Sequence, residues 1–382
     1  MPGNPLKELI RYGQSFWYDN ISREIIDSGE LKRMIEEEGL RGVTSNPSIF
    51  YKAIKSTNAY DDELLRIINQ SPDIDNKTLF FELAIKDIKD ACNLLLPVYE
   101  ESDGEDGFVS IEVDPHLAYD TQGTIREALS LTEKIGMPNL MIKVPATVEG
   151  LPAIEELIYL GKNINVTLLF SVERYEAVID AYLRGLERRL ADGKPLDTVN
   201  SVASFFVSRV DTMVDRMLEE MAEKAKDDEE ISRIKALMGR TAVANAQIAY
   251  QSFKKLFGSD RFLKLRREKA RLQRLLFGST STKNPAYSDI LYVQELIGPG
   301  TVNTMPDATW RAFKEHGNPG RTIDLNPDQA FRTVEEVKNL GIDLASITDT
   351  LEKDGVKQFA DAFDSLIELI EEKRKTFTTE KV

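Results

Sequence analysis

The feature that most constrains the fold of this chain is a regular alternation of short apolar runs with longer amphipathic stretches. Stretches such as 23–39, 78–101 and 173–190 have apolar residues three and four positions apart, which is typical of helices that pack on a core. Strands that alternate with helices favour a parallel sheet with right-handed crossovers. The eight candidate strands are 15–20, 41–46, 107–113, 139–145, 163–169, 199–206, 274–280 and 300–305. This α/β pattern predicts a (β/α)8 TIM barrel, with a doubly wound open sheet as the alternative.

Two stretches contain more helix than a minimal barrel needs. They are about 210–272 and about 324–382. A basic segment at 261–274 has apolar residues at helical spacing, which favours a solvated amphipathic helix over a nucleic-acid-binding surface. No linker rich in Pro, Gly or Ser divides the 382 residues. We therefore expect one domain over 1–382, with the barrel core at about 15–320, the helical insertion at about 210–272 and a C-terminal helical tail at about 324–382.

Composition excludes several classes of partner and site. A formal charge of -15 at pH 7 repels nucleic acid and anionic membrane surfaces, although a few local cations would still bind a small anion. Two histidines, His116 and His316, and one cysteine, Cys92, do not favour a metal site built from those residues. No apolar run approaches the roughly 20 residues of a membrane helix. We expect a cytoplasmic protein without a metal or a membrane partner.

Polar side chains lie late in, or just after, most of the predicted strands. In a parallel barrel, catalytic residues collect at the carboxyl ends of the strands, and alternate residues face the interior. Asn165 and Thr167, two positions apart, therefore share a face, and Lys143 faces inward if its neighbours Ile142 and Val144 pack against helices. The full set is Asp19, Thr44, Asn46, Glu112, Lys143, Asn165, Thr167, Ser204 and Ser281.

Lys143 needs a specific explanation because it lies inside the apolar run "LMIKVPAT" (140–147). Burial disfavours the charged ammonium form of a lysine. The neutral amine is a nucleophile that condenses with a ketone or aldehyde, and the resulting iminium accepts electrons when a neighbouring carbon–carbon bond breaks. Lys143 is therefore a candidate Schiff-base lysine. A structural ion pair with a barrel carboxylate is the alternative.

Several motifs together resemble those of the transaldolases, which are class I aldolases with a (β/α)8 fold. The most specific are "GVTSNPS" (42–48) and "IKVPAT" (142–147). The others are "FWYDN" (16–20), "SIEVDPHLAYD" (110–120), "NINVTLLFS" (163–171), "SFFVSRVD" (204–211) and "STSTKNP" (279–285). The resemblance covers the barrel from about Ser15 to Pro306. In the tail, "GVKQF" (355–359) also looks family-like, whereas the insertion and much of the tail carry no chemical motif.

The resemblance implies a transferase that moves a dihydroxyacetone unit through a Schiff base on Lys143. The donor would be sedoheptulose 7-phosphate or fructose 6-phosphate, and the acceptor glyceraldehyde 3-phosphate or erythrose 4-phosphate, in the non-oxidative pentose phosphate pathway of carbohydrate metabolism. It implies neither a metal nor an organic cofactor. Dimers occur in this family, so a homodimer is an expected assembly. The alternatives are a fructose-6-phosphate-type class I aldolase that cleaves without transfer, and a noncatalytic sugar-phosphate sensor.

By the positions of the matching motifs, the resemblance assigns three residues to catalysis beside Lys143. Asp19 would take the proton of the substrate C4 hydroxyl during cleavage; its alternative role is to cap a helix that begins near Ser22. Glu112 would act through a water on carbinolamine formation and dehydration, and Thr167 would hold that water. The alternatives are a structural ion pair for Glu112 and plain strand propensity for Thr167.

The resemblance also implies residues that contact the carbon chain of the substrate. Asn46 and Asn165 would hydrogen-bond the hydroxyls and the carbinolamine, and Ser204 and Phe206 would line the same pocket. Asn46 precedes Pro47, so a turn ahead of a helix is an alternative for that residue. Phe206 is equally well explained as a core residue.

Arg209, Ser281 and Lys283 are the residues that the resemblance places around the substrate phosphate. A guanidinium offers a planar fork to phosphate oxygens, whereas a lysine acts as a point charge. Many members of the family carry arginine where this chain has Lys283, so the geometry of that contact differs here. A solvated loop cation is the alternative for Lys283.

Overall fold

Eight parallel strands close into a barrel in the computed structural model of this chain, which describes residues 3–379. Each strand pairs with the next one along the chain, and the last pairs with the first. The strands are β1 (Gln14–Tyr18), β2 (Gly42–Val43), β3 (Phe108–Glu112), β4 (Leu140–Pro145), β5 (Ile164–Leu169), β6 (Ser201–Phe206), β7 (Gln273–Gly278) and β8 (Thr301–Met305). The prediction of a TIM barrel is confirmed, and every predicted strand overlaps an observed one.

Helices connect the strands and cover the outside of the barrel. The α-helices are α1 (Pro5–Glu8), α2 (Arg23–Asp27), α3 (Glu30–Arg33), α4 (Pro47–Ser56), α5 (Asp61–Gln70), α6 (Asn76–Glu101), α7 (Thr121–Ile135), α8 (Gly150–Tyr159), α9 (Val172–Ala191), α10 (Ser208–Lys224), α11 (Asp228–Lys235), α12 (Thr241–Phe257), α13 (Asp260–Arg267), α14 (Leu291–Gln294), α15 (Asp307–His316), α16 (Pro327–Asn339) and α17 (Leu344–Thr379). Short 3-10 helices span Leu9–Tyr12 and Pro115–Tyr119, and a π-helix spans Met34–Glu38. Within residues 3–379, no helix has the length and apolar character needed to cross a membrane.

Side-chain caps fix where the helices after β1 and β2 begin. Ser22 accepts a hydrogen bond from the Ile25 backbone N–H at 3.2 Å and so caps α2, leaving the Asp19 carboxylate free of that task. Asn46 accepts from the Ile49 backbone N–H at 3.1 Å and caps α4, in which Pro47 is the first residue. The cap that the sequence offered as an alternative role for Asp19 therefore belongs to Ser22.

The helices beyond a minimal barrel fall in two parts of the chain. Helices α10 to α13 all fall between β6 and β7, and α16 and α17 follow β8. The basic segment 261–274 divides, because α13 ends at Arg267 and β7 begins at Gln273. Helix α17 packs against α4, α6, α10 and β5. The last three residues of the predicted tail, 380–382, lie outside the described residues.

The barrel interior is apolar at one level and polar above it. An apolar cluster is formed by Trp17, Phe108, Met141, Val202, Leu276 and Val302. One step further toward the carboxyl ends, the inward side chains of β3 to β6 are polar, namely Ser110, Lys143, Asn165 and Ser204. This layering follows from the two-residue period of each strand and places the polar groups in the half of the barrel where catalytic sites form.

Asp106 holds the amino-terminal end of the barrel together. It is 3% exposed, and its carboxylate accepts hydrogen bonds from the Ser15 hydroxyl, from Trp17 Nε1 at 2.8 Å and from Arg41 Nε at 2.8 Å. Arg274 lies 3.4 Å away. One carboxylate thus satisfies donors from three separate parts of the sequence.

We predict that Asp106→Ala lowers the free energy of unfolding by roughly 3–5 kcal/mol, because it leaves buried donors and a guanidinium without their acceptor. Chemical denaturation measures this loss. Glu105→Ala is the matched control, because the Glu105 side chain is 76% exposed and its removal should change stability by no more than about 0.5 kcal/mol. Equal effects of the two substitutions would contradict the assignment.

Candidate active site

Lys143 lies at the centre of the polar half of the barrel. It is 5% exposed, and the register places it between Glu112 of β3 and Asn165 of β5. Its Nζ donates a hydrogen bond to the Ser45 carbonyl oxygen at 3.0 Å and lies 3.4 Å from Glu112 Oε2. The distance between Lys143 Nζ and Glu112 Oε2 is longer than a usual charge-assisted hydrogen bond, so the two groups are in ionic contact without a short hydrogen bond.

The environment of Glu112 favours its protonated form. Burial raises the pKa of Glu112 to about 7; Lys143 opposes that rise, and the nearby Asp19 adds to it. Neither carboxyl oxygen has a hydrogen-bond partner among the described residues. Near neutral pH, Glu112 therefore exchanges a proton readily, and the neutral form removes one of the two negative charges beside the Lys143 amine.

Asp19 follows β1 and is the second carboxylate of the site. Burial raises the pKa of Asp19 above its ordinary value, against the lowering influences of Lys143 and of the hydrogen bond from Thr44. The Thr44 hydroxyl donates to Asp19 Oδ1 at 2.8 Å and lies 2.7 Å from the Thr304 hydroxyl. Asp19 keeps partial exposure to solvent. Its carboxylate is thus held in one orientation and remains accessible from the barrel mouth.

Asn165 and Ser204 form a polar surface beside Lys143 that hydrogen bonds hold in place. Asn165 Nδ2 donates to Ser110 Oγ at 3.0 Å, and Asn165 Oδ1 accepts from Ser204 Oγ at 2.6 Å. Thr167, two residues along β5, is fully buried, and its hydroxyl has no partner among the described residues. An unpaired buried hydroxyl is unfavourable, so Thr167 is available to bind a polar group in the site.

The oxygen and the nitrogen of the Asn46 side-chain amide differ in their contacts. Its side-chain oxygen is taken by the cap of α4, which confirms the local role that the sequence offered as an alternative. Its side-chain N–H groups remain available as donors at the carboxyl end of β2. The helical cap therefore orients the Asn46 amide rather than excluding it from a binding role.

Aromatic rings cover the Lys143 amine. The Phe359 ring of α17 lies 5.7 Å from Lys143 Nζ and 6.5 Å from the Phe206 ring, both measured from ring centroids. Phe206 is 9% exposed and packs edge-on against Phe170 at 5.3 Å. Helix α17 thus covers the carboxyl end of the barrel and limits the access of water to Lys143.

Two cations stand apart from the Lys143 cluster. Arg209, the second residue of α10, lies 5.5 Å from the Phe206 ring and donates to Gln358 Oε1 at 2.9 Å. Burial lowers the pKa of the Arg209 guanidinium. Lys283, on the loop after β7, is exposed and donates to the Ser281 hydroxyl at 2.8 Å. Across residues 3–379, no carboxylate forms an ion pair with Arg209 or Lys283.

The structure brings most of the predicted residues to one end of the barrel but leaves two of them less connected. The strand register and direct contacts join Lys143, Glu112, Asn165 and Ser204, and Asp19 influences this group through its charge. Ser281 and Lys283 contact each other and have no described contact with Lys143. Their place in the site follows only from their position after β7.

Sequence reasoning did not identify the tail residues of the site. Phe359 and Gln358 lie within "GVKQF", which was noted without a chemical role. His116, on the loop after β3, contacts the same helix, since its Nε2 lies 3.2 Å from Asp364 Oδ1 and its ring packs against Phe363. A motif of the tail thus belongs to the barrel mouth, and His116 contacts the helix that covers it.

No described group of three or more His, Cys, Asp or Glu side chains is arranged to hold a metal ion.

A cleft of about 500 Å³ lies away from Lys143, between α12, α16 and the loop after β7, and is lined in part by Tyr287 and Ala330. The Tyr287 hydroxyl donates to Asp215 Oδ2 at 2.8 Å and so ties that loop to α10. None of the predicted site residues lines this cleft.

Comparison with known proteins identifies the family. Residues 16–370 match the model of the transaldolase/fructose-6-phosphate aldolase family. The chain belongs to this family. A protein of Trichodesmium erythraeum named transaldolase is 46% identical over 380 residues, which cover 99% of this chain and 100% of the relative. A protein of Nostoc punctiforme named transaldolase 2 is 45% identical over 381 residues, covering 99% and 100%. The family resemblance read from the sequence motifs is confirmed, and the match extends into α17.

The raised pKa of Glu112 predicts a protonated carboxyl group that titrates near neutral pH. Difference infrared spectroscopy should show a carboxylic acid band that is present at about pH 6 and lost by about pH 8, and Glu112→Gln should abolish it. The folded state holds this proton more tightly than the unfolded chain, so Glu112 favours folding at low pH, and that contribution is lost as the pH rises through about 7.

Asp211 supplies the control for this measurement. Burial raises the pKa of Asp211 to about 7 as well, on a carboxylate that accepts from the Tyr292 hydroxyl at 2.9 Å. Asp211→Asn should therefore remove a second band and leave the Glu112 band in place. A spectrum that is the same in the parent protein and in Glu112→Gln would contradict the environment described for Glu112.

Proposed function

We propose that this protein is a transaldolase that transfers a dihydroxyacetone unit from a ketose phosphate to an aldose phosphate. The donor is sedoheptulose 7-phosphate or fructose 6-phosphate, and the acceptor is glyceraldehyde 3-phosphate or erythrose 4-phosphate. The observation that carries the proposal is the Lys143 amine, buried beneath Phe359 and in contact with Glu112. The names of full-length relatives support the same activity.

The first step is formation of a Schiff base on Lys143. The neutral Nζ attacks the C2 carbonyl carbon of the ketose phosphate, and the carbonyl oxygen gains a proton to give a carbinolamine. Loss of that hydroxyl as water requires a proton donor, which Glu112 supplies through a water held with Thr167. The raised pKa of Glu112 and the unpaired Thr167 hydroxyl support these roles. The product is an iminium between Lys143 and the substrate.

The second step breaks the bond between C3 and C4. Asp19 removes the proton of the C4 hydroxyl, the C4 oxygen forms a carbonyl, and the electron pair of the C3–C4 bond moves into the iminium to give an enamine. The aldose phosphate leaves. A pKa raised by burial makes Asp19 a better base than an exposed aspartate, and proton transfer of this kind contributes about 10²–10⁴-fold to a rate.

The third step transfers the enamine to the acceptor. The enamine carbon attacks the aldehyde carbon of a second aldose phosphate, Asp19 returns its proton to the new hydroxyl, and hydrolysis of the iminium frees Lys143. Water that reaches the enamine would divert it toward simple cleavage. The Phe359 ring over the Lys143 amine supports transfer, because it limits that access.

Polar groups around Lys143 orient the carbon chain and phosphate of the substrate. Asn165 and Ser204 form a fixed hydrogen-bonding surface for the hydroxyls and the carbinolamine, and the free N–H groups of Asn46 contact the same unit. Arg209, with Ser281 and Lys283, binds the phosphate. Their lack of carboxylate partners within residues 3–379 supports this assignment, since an anionic ligand then supplies the missing charge.

We also propose where the enzyme acts, in which pathway, and in which assembly. The enzyme acts in the cytoplasm, in the non-oxidative pentose phosphate pathway, as one folded domain without a metal or an organic cofactor. The assembly that the family resemblance suggests is a homodimer, and sedimentation measurements would distinguish it from a monomer.

Transfer of isotope tests the function directly. Fructose 6-phosphate labelled with carbon-13 at C1 to C3 and unlabelled erythrose 4-phosphate should give sedoheptulose 7-phosphate labelled at C1 to C3, measured by nuclear magnetic resonance. Lys143→Ala should lower this transfer by roughly 10⁴-fold or more, because it removes the covalent nucleophile. Lys134→Ala, which removes a half-exposed lysine of α7, should retain full activity.

Two outcomes would contradict the proposal. Release of free labelled dihydroxyacetone in place of labelled sedoheptulose 7-phosphate would indicate an aldolase without transfer. Binding of fructose 6-phosphate with no labelled product would indicate a sugar-phosphate sensor.

A further inference from the structure

One residue of β5 has a backbone conformation that is unusual for its type. Leu168 has a φ of 61°, in the left-handed region that non-glycine residues seldom adopt. The register between β5 and β6 shifts between Val166 and Leu169, so Leu168 lies in a bulge. Its side chain is 1% exposed. Such strain persists only where the surrounding structure imposes it.

The residue that Leu168 meets in the tail is also unusual. Gly355 lies inside the 36-residue helix α17, where glycine is a poor helix former. A Cβ at Gly355 would lie 2.9 Å from Leu168 Cδ2 and 3.6 Å from Phe170 Cε2. The missing side chain thus leaves a notch in α17, and the Leu168 side chain fills it. The contact accounts for glycine at position 355 and packs the buried side chain of Leu168, the residue with positive φ, against α17.

The contact lies one helical turn from the part of α17 that enters the site. Gln358 and Phe359 are three and four positions after Gly355, on the same face of the helix. Phe359 lies 5.7 Å from Lys143 Nζ, and Gln358 accepts from Arg209 at 2.9 Å. A shift of α17 along its axis would move both side chains away from their partners.

Two ion pairs of α17 at the barrel mouth are less sensitive to its position along the axis. Glu352 pairs with Arg174 at 3.2 Å, and Asp364 lies 3.2 Å from His116. Long charged side chains in ion pairs adjust to small displacements of the backbone, whereas a buried leucine packed against a glycine does not. Of these contacts, the one between Leu168 and Gly355 best fixes the position of the helix.

We propose that Leu168 and Gly355 are positioning residues that hold helix α17 in the register that places Phe359 over Lys143 and Gln358 on Arg209. This inference rests on the proposed function, because it takes Lys143 and Arg209 as groups that contact the substrate. Leu168 and Gly355 act through Phe359 and Gln358 and do not themselves touch the reacting atoms.

Gly355→Leu in the full-length protein tests the proposal by filling the notch. We expect the backbone amides of residues 355–363 to exchange with deuterium about tenfold faster and kcat/KM to fall by about tenfold or more. The kinetic loss should divide between KM, through Arg209, and kcat, through Lys143. Asp354→Leu places the same side chain at the neighbouring exposed position and should match the parent protein in both measurements.

The decisive variant exchanges the large and the small side chain between positions 168 and 355. Leu168→Ala combined with Gly355→Leu should recover activity to within about threefold of Leu168→Ala alone, because the new leucine fills the space that the old one leaves. Losses that simply multiply would overturn the proposal, as would a Gly355→Leu variant indistinguishable from Asp354→Leu. Should Gly355→Leu alone fail to fold, recovery of folding in the double variant supports the contact, and failure of both overturns it.

The two measurements separate this inference from the proposed function. Deuterium exchange of α17 reports the contact whatever reaction the protein catalyses. A parent protein that transfers no labelled unit, yet shows the expected exchange pattern, would retain the contact and lose the transaldolase assignment. Normal transfer with no difference between Gly355→Leu and Asp354→Leu would retain the assignment and lose the contact.

Discussion

The ionic contact between Lys143 and Glu112 inside the barrel is the interaction on which the rest of the site depends. Charges removed from water are unfavourable unless partners compensate them. Here the compensation is incomplete, because the two groups lie 3.4 Å apart and the Glu112 oxygens accept no hydrogen bond from the described residues. Burial therefore dominates at the carboxyl group and raises the pKa of Glu112 to about 7. A carboxyl group that titrates near neutral pH suits the proton transfer proposed for Glu112.

The fold keeps Lys143 and Glu112 out of water by placing them above an apolar layer and beneath the Phe359 ring. The interior cluster that includes Trp17 and Met141 closes the barrel below Lys143, and Phe359 covers it from above. Burial is also the largest influence that raises the pKa of Glu112 and of Asp19. A more open barrel would hydrate the carboxylates and lower both values. The covering helix α17 is therefore as important to the electrostatics as the strands that carry the charges.

Local sequence patterns predicted the strands and the polar groups at their ends, because both depend on periods of two to four residues. The strand carrying Lys143 was identified from its apolar neighbours, and the grouping with Glu112 and Asn165 followed from the geometry of any parallel barrel. The role of α17 could not be predicted in this way. Phe359 reaches Lys143 through tertiary packing alone, and its own segment reads as an ordinary amphipathic helix.

Three further features also depend on the assembled structure. A leucine with positive φ in β5 arises from tertiary contacts that override strand preference, so Leu168 gives no local signal. The pKa of Glu112 depends on the burial that the complete barrel creates. Asn46 was matched to substrate binding, while the local rule for helix starts also applied to it. The amide oxygen of Asn46 caps α4, so only the amide nitrogen is left for the proposed contact with substrate, a distinction that a motif comparison does not make.

Covalent trapping would show whether Lys143 forms a Schiff base with the substrate. The protein is mixed with fructose 6-phosphate, reduced with borohydride, digested and analysed by mass spectrometry. We expect one reduced dihydroxyacetone unit per chain, on the peptide that contains Lys143, and no adduct without substrate. An unmodified Lys143 during turnover, or an adduct that persists in Lys143→Ala, would contradict it.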